Sequence, residues 1–315
     1  MPIEHLSDLA LIRINGDDAE NFLQGQLSND IRHLSGTSST GAAPCWQYTA
    51  YCNPKGRTLA LMQLWRNHGA FYALLDSDLV APITQRLRMY VMRSKVEIEH
   101  LQDTAVLGII TEPGTSGTQL SELGIEQRAI SQLVAAGNRV VDTADGVALG
   151  VEAHRQMLVF SGGMPDGAST LITDATHHHW HAANIVAGIP QVNAGNSEQF
   201  IPQMINLDVL GAINFKKGCY TGQEIVARMH YLGNLKQRMY RCDISGNTHS
   251  GDLSPNQKVY LNNDLGKVAG TIVDVDIEGQ QALAVLRIEH ANQPLYLDPD
   301  CELRISDPQP YEVPN

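Results

Sequence analysis

The hydropathy pattern changes period near Lys236, and that change constrains the fold more than any other feature of the chain. Before it, stretches with apolar residues three and four apart alternate with strand-like runs. After it, Tyr240, Cys242 and Ile244, then Val273, Val275 and Ile277, recur at every second position, separated by turn signals at Asn262-Asn263-Asp264 and Glu278-Gly279. A period of two fits strands and not helices, so residues 236–315 are expected to form a small β domain. Residues 1–235 are expected to form an α+β region of two intertwined subdomains. A length of 315 residues agrees, since compact domains cluster near about 100–200 residues.

Within the first region, Phe22, Leu23, Leu27, Ile31 and Leu34 predict one amphipathic helix from Asp17 to Leu34, capped by Asp17 or Asp18. Asn53-Pro54-Lys55-Gly56 predicts the turn of a hairpin within Tyr48 to Trp65. Ser77 is placed to cap a second helix through Val91, with Pro82 in about its first turn, followed by a strand at Val96 and Ile98. Strands are expected at Ala105–Ile110, around Val140 and at Met157–Phe160, with a helix over Leu120–Ala136 and another from Asp166 to Ala187, ended by Gly188 and Pro190. No internal repeat or low-complexity segment is present.

Charge limits the partners. Lys and Arg total 22 against 34 Asp and Glu, a formal charge of -12 that repels phosphate backbones, so no direct nucleic-acid binding is expected and any basic site must be local. Met1-Pro2-Ile3-Glu4-His5 does not open a signal peptide, and no run of about 18 apolar residues occurs, so a soluble, cytoplasmic, non-membrane chain is expected. Five cysteines without a Cys-x-x-Cys pair read as free thiols.

One segment carries chemistry. In Lys216-Lys217-Gly218-Cys219-Tyr220-Thr221-Gly222-Gln223-Glu224, Thr221 and Glu224 have capping-box spacing ahead of Ile225, Val226 and Met229, so a helix is expected to begin there. Cys219 then lies outside a helix N-terminus beside two lysines, where a thiolate is favoured, and Gly218 and Gly222 permit a sharp bend or a close ligand. An ordinary buried thiol is the alternative reading. Lys216, Lys217, Arg228, Lys236, Arg238 and Arg241 form a basic island with one acid, Glu224, suited to a carboxylate or phosphate; a solvated face is its alternative. His177-His178-His179-Trp180-His181 places two histidines four apart on one helix face. Without a His-Glu-x-x-His pattern it reads as an exposed polar stripe, and no metal site is expected. Trp180 is suited to stacking on a flat heterocycle or to core packing.

Lys217-Gly218-Cys219-Tyr220-Thr221-Gly222-Gln223-Glu224 resembles the signature of the YgfZ-type folate-binding proteins, relatives of the glycine-cleavage aminomethyltransferase. Phe22 to Asp30, Cys52 to Arg57, Ala187 to Pro190, Phe200 to Gln203 and Asn206-Leu207 match in family order. The resemblance implies an α+β, aminomethyltransferase (GcvT)-like folate-binding fold with a small C-terminal antiparallel β-barrel and domains ringed around a central channel. It also implies a monomeric tetrahydrofolate-binding accessory protein that supports assembly, repair or activity of iron–sulfur enzymes, including those that methylthiolate tRNA. Its cofactor would be tetrahydrofolate or a one-carbon derivative, and its partners iron–sulfur enzymes or assembly proteins. Cys219 carries over as the functional thiol, and Trp180, Lys217, Gly218, Tyr220, Gln223 and Glu224 as folate-site residues. Leu9 stands at a second such channel position, where relatives can carry Trp. The transferase branch has an aspartate in the hairpin strand; here the strand reads Gly56-Arg57-Thr58-Leu59-Ala60, without the carboxylate that serves acid–base chemistry. A folate-dependent one-carbon transferase using Cys219 is the alternative function.

Overall fold

The computed structural model describes residues 3–34, 44–111, 138–143, 146–152, 154–164, 169, 172, 178–246, 253–276, 278 and 280–312. They form two compact units: residues 1–49 with 62–180, and residues 50–61 with 181–315. The expected helix over Leu120–Ala136 lies outside the described residues, as does most of Asp166–His177.

The first unit is a sandwich of two antiparallel sheets. One runs in the order β1 (Ile3–His5), β7 (Ala105–Ile110), β10 (Arg155–Phe160), β9 (Val147–Glu152), β8 (Val140–Asp142). The other runs β3 (Trp46–Cys52), β4 (Thr58–Asn67), β5 (Ala70–Asp76), β2 (Leu9–Asn15), β6 (Glu97–Leu101), and the hairpin end of β3 and β4 belongs to the second unit. Alternation sorts the side chains of β10: Met157 and Val159 pack with Leu11, Trp46, Trp65 and Val106 between the sheets, whereas Leu158 and Phe160 join Ile3, Leu107 and Ile109 on the opposite face. Trp46 Nε1 donates to the Gly150 carbonyl at 2.8 Å, so the buried indole leaves no polar atom unpaired.

Three helical expectations change. Over Asp17–Leu34 the helix is only α1 (Ala19–Gln26), followed by a separate 3₁₀ turn at Ile31–Leu34. Polar side chains divert the backbone between them: Gln24 accepts from the Ile31 amide at 3.1 Å, and Asn29 donates to the Tyr48 carbonyl at 2.8 Å. Helix α2 (Ser77–Val91) is capped by Asp76, whose Oδ1 accepts from the Asp78 amide at 3.1 Å, and not by Ser77, which is already helical. Pro82 therefore falls in the second turn. It is the sixth residue of α2, and its absent N–H leaves the Asp78 carbonyl without its helical donor.

After residues 50–61 the second unit resumes in helix α3 (His178–Val186), within which the division between units falls. α3 ends as expected at Gly188, with φ +68°. The Ile189 amide bonds to the Asn184 carbonyl and the Gly188 amide to that of Ile185, the two bonds of a Schellman end. A 3₁₀ turn, Pro202–Ile205, and helix α4 (Gln223–Tyr231) precede the barrel. Six antiparallel strands close it: β11 (Gln237–Gly246), β14 (Gln281–Arg287), β13 (Val268–Asp276), β12 (Lys258–Tyr260), β15 (Leu295–Asp298) and β16 (Cys301–Ile305), which pairs back onto β11. Cys242, Ile244, Ile272, Ala284, Leu286 and Leu303 fill it. A bulge between Ile272 and Asp274 breaks the strict alternation expected for β13 and leaves Asp274 buried. Among the described residues no helix is long and apolar enough to cross a membrane.

Candidate functional site

The signature segment is an ordered loop seated on the hairpin turn, so two of the motifs singled out in the sequence meet in the second unit. Asn53 shapes the turn: its Oδ1 accepts from the amides of Lys55 at 2.9 Å and Arg57 at 3.0 Å, and its own amide donates to the Arg57 carbonyl. Gly56 (φ +69°) and Gly222 (φ +84°) are both left-handed and face one another. A Cβ on Gly222 would lie 2.5 Å from the Asn53 carbonyl oxygen and 3.1 Å from the Gly56 Cα, and one on Gly56 would lie 2.8 Å from the Ile225 Cβ. Bare backbone at both positions lets the turns touch.

This seat replaces the expected capping box. The N-cap of α4 is Gly222, without a side-chain hydrogen bond, and Thr221 precedes it. The left-handed turn demanded by the contact with Asn53 takes the N-cap from Thr221, so its hydroxyl does not serve the reciprocal arrangement with Glu224.

The loop sorts its side chains. Cys219 and Gly218 are exposed, and Glu224 is exposed in the first turn of α4, with Gln223 half-buried before it. Lys217 and Tyr220 turn inward, with the Lys217 ammonium 5.2 Å from the centre of the Tyr220 ring. Burial, and then the neighbouring Cys52, push the Tyr220 hydroxyl up from its ordinary pKa; burial pushes the Cys52 thiol up to about 12. Cys52 is thus an inert thiol beneath the loop, and Cys219 is the accessible one. Glycine is not sterically required at 218, since a Cβ there meets nothing within 4 Å.

The basic island is not uniformly free. Arg238 is buried and forks onto Asp208 at 2.7 and 2.9 Å, while also donating to the Gln203 carbonyl at 2.8 Å. Asn206 donates to the Met239 carbonyl at 2.7 Å, so the Phe200–Leu207 matches build a structural clamp on β11.

Trp180 and Leu9 lie in the first unit, in the same apolar cluster. Trp180 is 6% exposed. Its ring packs on Gly108, where a Cβ would come within 2.7 Å of the indole, and the Arg155 guanidinium sits 5.3 Å from its centroid. Its amide donates to Glu4 Oε2 at 3.0 Å, and Glu4 Oε1 is buried without a hydrogen-bond partner among the described residues. Glu4, Gly108 and Arg155 were not singled out in the sequence. The available signal was a glycine inside the apolar strand Ala105–Ile110, which marks close approach to a strand.

His181 departs from the polar-stripe reading. Its Nε2 lies 3.2 Å from Asp274 Oδ1 and 3.3 Å from the Val275 carbonyl. Burial alone would lower its pKa, but the Asp274 hydrogen bond and charge outweigh burial and carry it to about 9. His177 lies outside the described residues. No group of three or more His, Cys, Asp or Glu side chains among the described residues could hold a metal. Each unit also has a cavity, about 450 Å³ beside Trp65 and Tyr72 in the first and about 610 Å³ beside Tyr240 and Arg304 in the second; none of the sequence-selected site residues lines either.

The sandwich and closed barrel are those of a glycine-cleavage aminomethyltransferase. The chain is similar to aminomethyltransferase T from Bartonella henselae, with a TM-score of 0.75 over 99% of this chain and 86% of that one, at 12% identity, a level that speaks for the fold alone. No family model matches. Curated relatives are closer in sequence. The chain is 28% identical to the tRNA-modifying protein YgfZ of Vibrio atlanticus over 99% of its length and 89% of the relative's. It is 32% identical to the same-named protein of Hamiltonella defensa over 75% of this chain and 68% of the relative. For that of Escherichia coli O157:H7 the identity is again 32%, over 75% and 69%. The chain belongs to the YgfZ family.

Proposed function

We propose that this chain is a tetrahydrofolate-binding accessory protein of tRNA modification that supports iron–sulfur enzymes. The relatives' name supports the tRNA connection, and the aminomethyltransferase-like fold supports folate. The observation that carries the folate reading is the grouping of Leu9, Trp180 and the orphaned Glu4 Oε1. A buried carboxylate oxygen without a donor is costly, and the amino and ring N–H groups of a pterin are donors of the kind it lacks. Trp180 and Leu9 add apolar surface beside it. Arg155 now covers the Trp180 ring, so a pterin stacking there displaces that guanidinium or moves it to the ligand's anionic tail. On this reading Lys217, Gly218, Tyr220, Gln223 and Glu224 shape the loop that presents Cys219, and five free thiols suit the reducing cytoplasm.

Calorimetry with tetrahydrofolate tests it. Heat and a thermal shift are expected, and Glu4→Gln, which keeps the shape but removes the charge, weakens binding about tenfold. Absence of both signals at millimolar folate sinks the reading. The exposed Cys219 thiol favours a second reading, folate-dependent one-carbon transfer. It requires methylene-folate turnover that Cys219→Ala abolishes while the binding heat persists.

A further inference from the structure

The end of α4 carries an aromatic group that packing within the molecule does not explain. Tyr231 is 62% exposed and Leu232 85%. Tyr231 is nevertheless held: its hydroxyl donates to the Phe215 carbonyl at 3.3 Å, and its ring meets Phe215 and His230 edge-on at 6.3 and 4.7 Å. Phe215 and His230 stack on each other at 3.7 Å, with 9° between their planes. A ring that is both ordered and wet has already lost its rotamer freedom, so a planar partner adds contact at little further entropic cost.

The surrounding charge identifies that partner's chemistry. Lys216 adjoins Phe215, Arg228 lies three residues before Tyr231 on the same helix face, and Lys236 follows the exposed turn after α4. All three are exposed, and among the described residues none has an ion-pair partner. By contrast Arg13, Arg66, Lys95 and Arg304 each hold a carboxylate. From Phe215 to Gln237 the only acid is Glu224, in a chain of net charge -12.

We infer that Phe215, His230 and Tyr231, with Lys216, Arg228 and Lys236, form a docking platform for single-stranded RNA, a base stacking on Tyr231 while phosphates meet the three cations. Stacking needs an unpaired base, which a duplex does not offer, and alternating rings and cations are the means by which single strands are held. An apolar protein partner would use Tyr231 and Leu232 but leave three cations facing nothing. The expectation of no nucleic-acid contact came from the charge of the whole chain, and this platform is local. It is independent of folate, since it uses none of Glu4, Leu9 or Trp180.

Fluorescence anisotropy with a labelled oligouridine of about 12 nucleotides, without folate, tests the platform. Binding that weakens with salt is expected. Tyr231→Ala weakens it about tenfold and Tyr231→Phe largely keeps it. Replacing Lys216, Arg228 and Lys236 together by Gln lowers the slope of log affinity against log salt by about 2, at roughly 0.7 per phosphate. An unchanged melting temperature and circular dichroism spectrum show that these surface variants remain folded. No binding at about 1 mM protein, well beyond the usual non-specific range, or binding indifferent to the substitutions, overturns the inference. So does a dimer in sedimentation that Tyr231→Ala dissolves, which would assign the patch to a second copy.

Discussion

Gly222 and Gly218 stand four residues apart in one motif and are under opposite constraints. Gly222 has a φ of +84° and a carbonyl oxygen 2.5 Å from where its Cβ would be; Gly218 has open space. Gly222→Ala therefore adds the left-handed penalty of about 1–2 kcal/mol to a clash with backbone that cannot yield, for a loss of at least about 2 kcal/mol. Gly218→Ala is expected to stay within about 0.5 kcal/mol. Urea midpoints of the two variants measure the difference, and equal midpoints would contradict the seat on the Asn53 turn. The sequence marked both glycines as places for a bend. It could not separate them, because the distinction resides in Asn53, some 170 positions earlier in the chain.

Between elements, one ion pair fastens α3 to β13. Among the described residues Asp274 Oδ2 is buried without a hydrogen-bond partner, while Oδ1 accepts from the Val275 amide at 3.0 Å and meets His181, which brings the opposite charge to the carboxylate. The folded pKa of His181, about 9, lies above the ordinary value of 6.5. A raised histidine pKa contributes stability that is complete below about pH 6.5 and is lost as pH rises through 9. The difference corresponds to roughly 3 kcal/mol. Denaturant unfolding should show stability declining from pH 6.5 to 9.5, and His181→Gln should flatten that decline while costing stability at pH 6.5. A profile that His181→Gln leaves unaltered would show that the pair carries no charge. The sequence displayed the histidine run and its helical spacing, but a bulge in β13 supplied the partner. Bulges are set by pairing between distant strands, here β13 with β14, and leave no mark in local periodicity. The same limit explains α1: its apolar spacing was legible, whereas the side-chain bonds of Gln24 and Asn29 that end it were not.

Over the whole molecule, the mixture of helix and sheet and the C-terminal run of strands were legible because periods of 3.6 and 2 are local properties. Closure of the barrel was not readable from periodicity, since pairing of β16 with β11 joins residues such as Gly246 and Cys301 across the entire domain; only the family resemblance implied it. Charge behaves in the same way. A net -12 was plain in the sequence, but its distribution was not, because Arg238 pairs with Asp208 while Lys216, Arg228 and Lys236 have no ion-pair partner among the described residues. The two levels predict different behaviour toward different nucleic acids. A duplex presents about one phosphate per 1.7 Å and no free base, so it meets the repulsion of the whole molecule with only three local cations to offset it. A single strand gains the stack on Tyr231 as well. At about 0.15 M salt a duplex of equal length is therefore expected to bind at least about tenfold more weakly than the oligouridine, and Tyr231→Ala should narrow the gap. Equal affinities for both would mean that a diffuse positive field attracts the phosphates and that the ring contributes nothing.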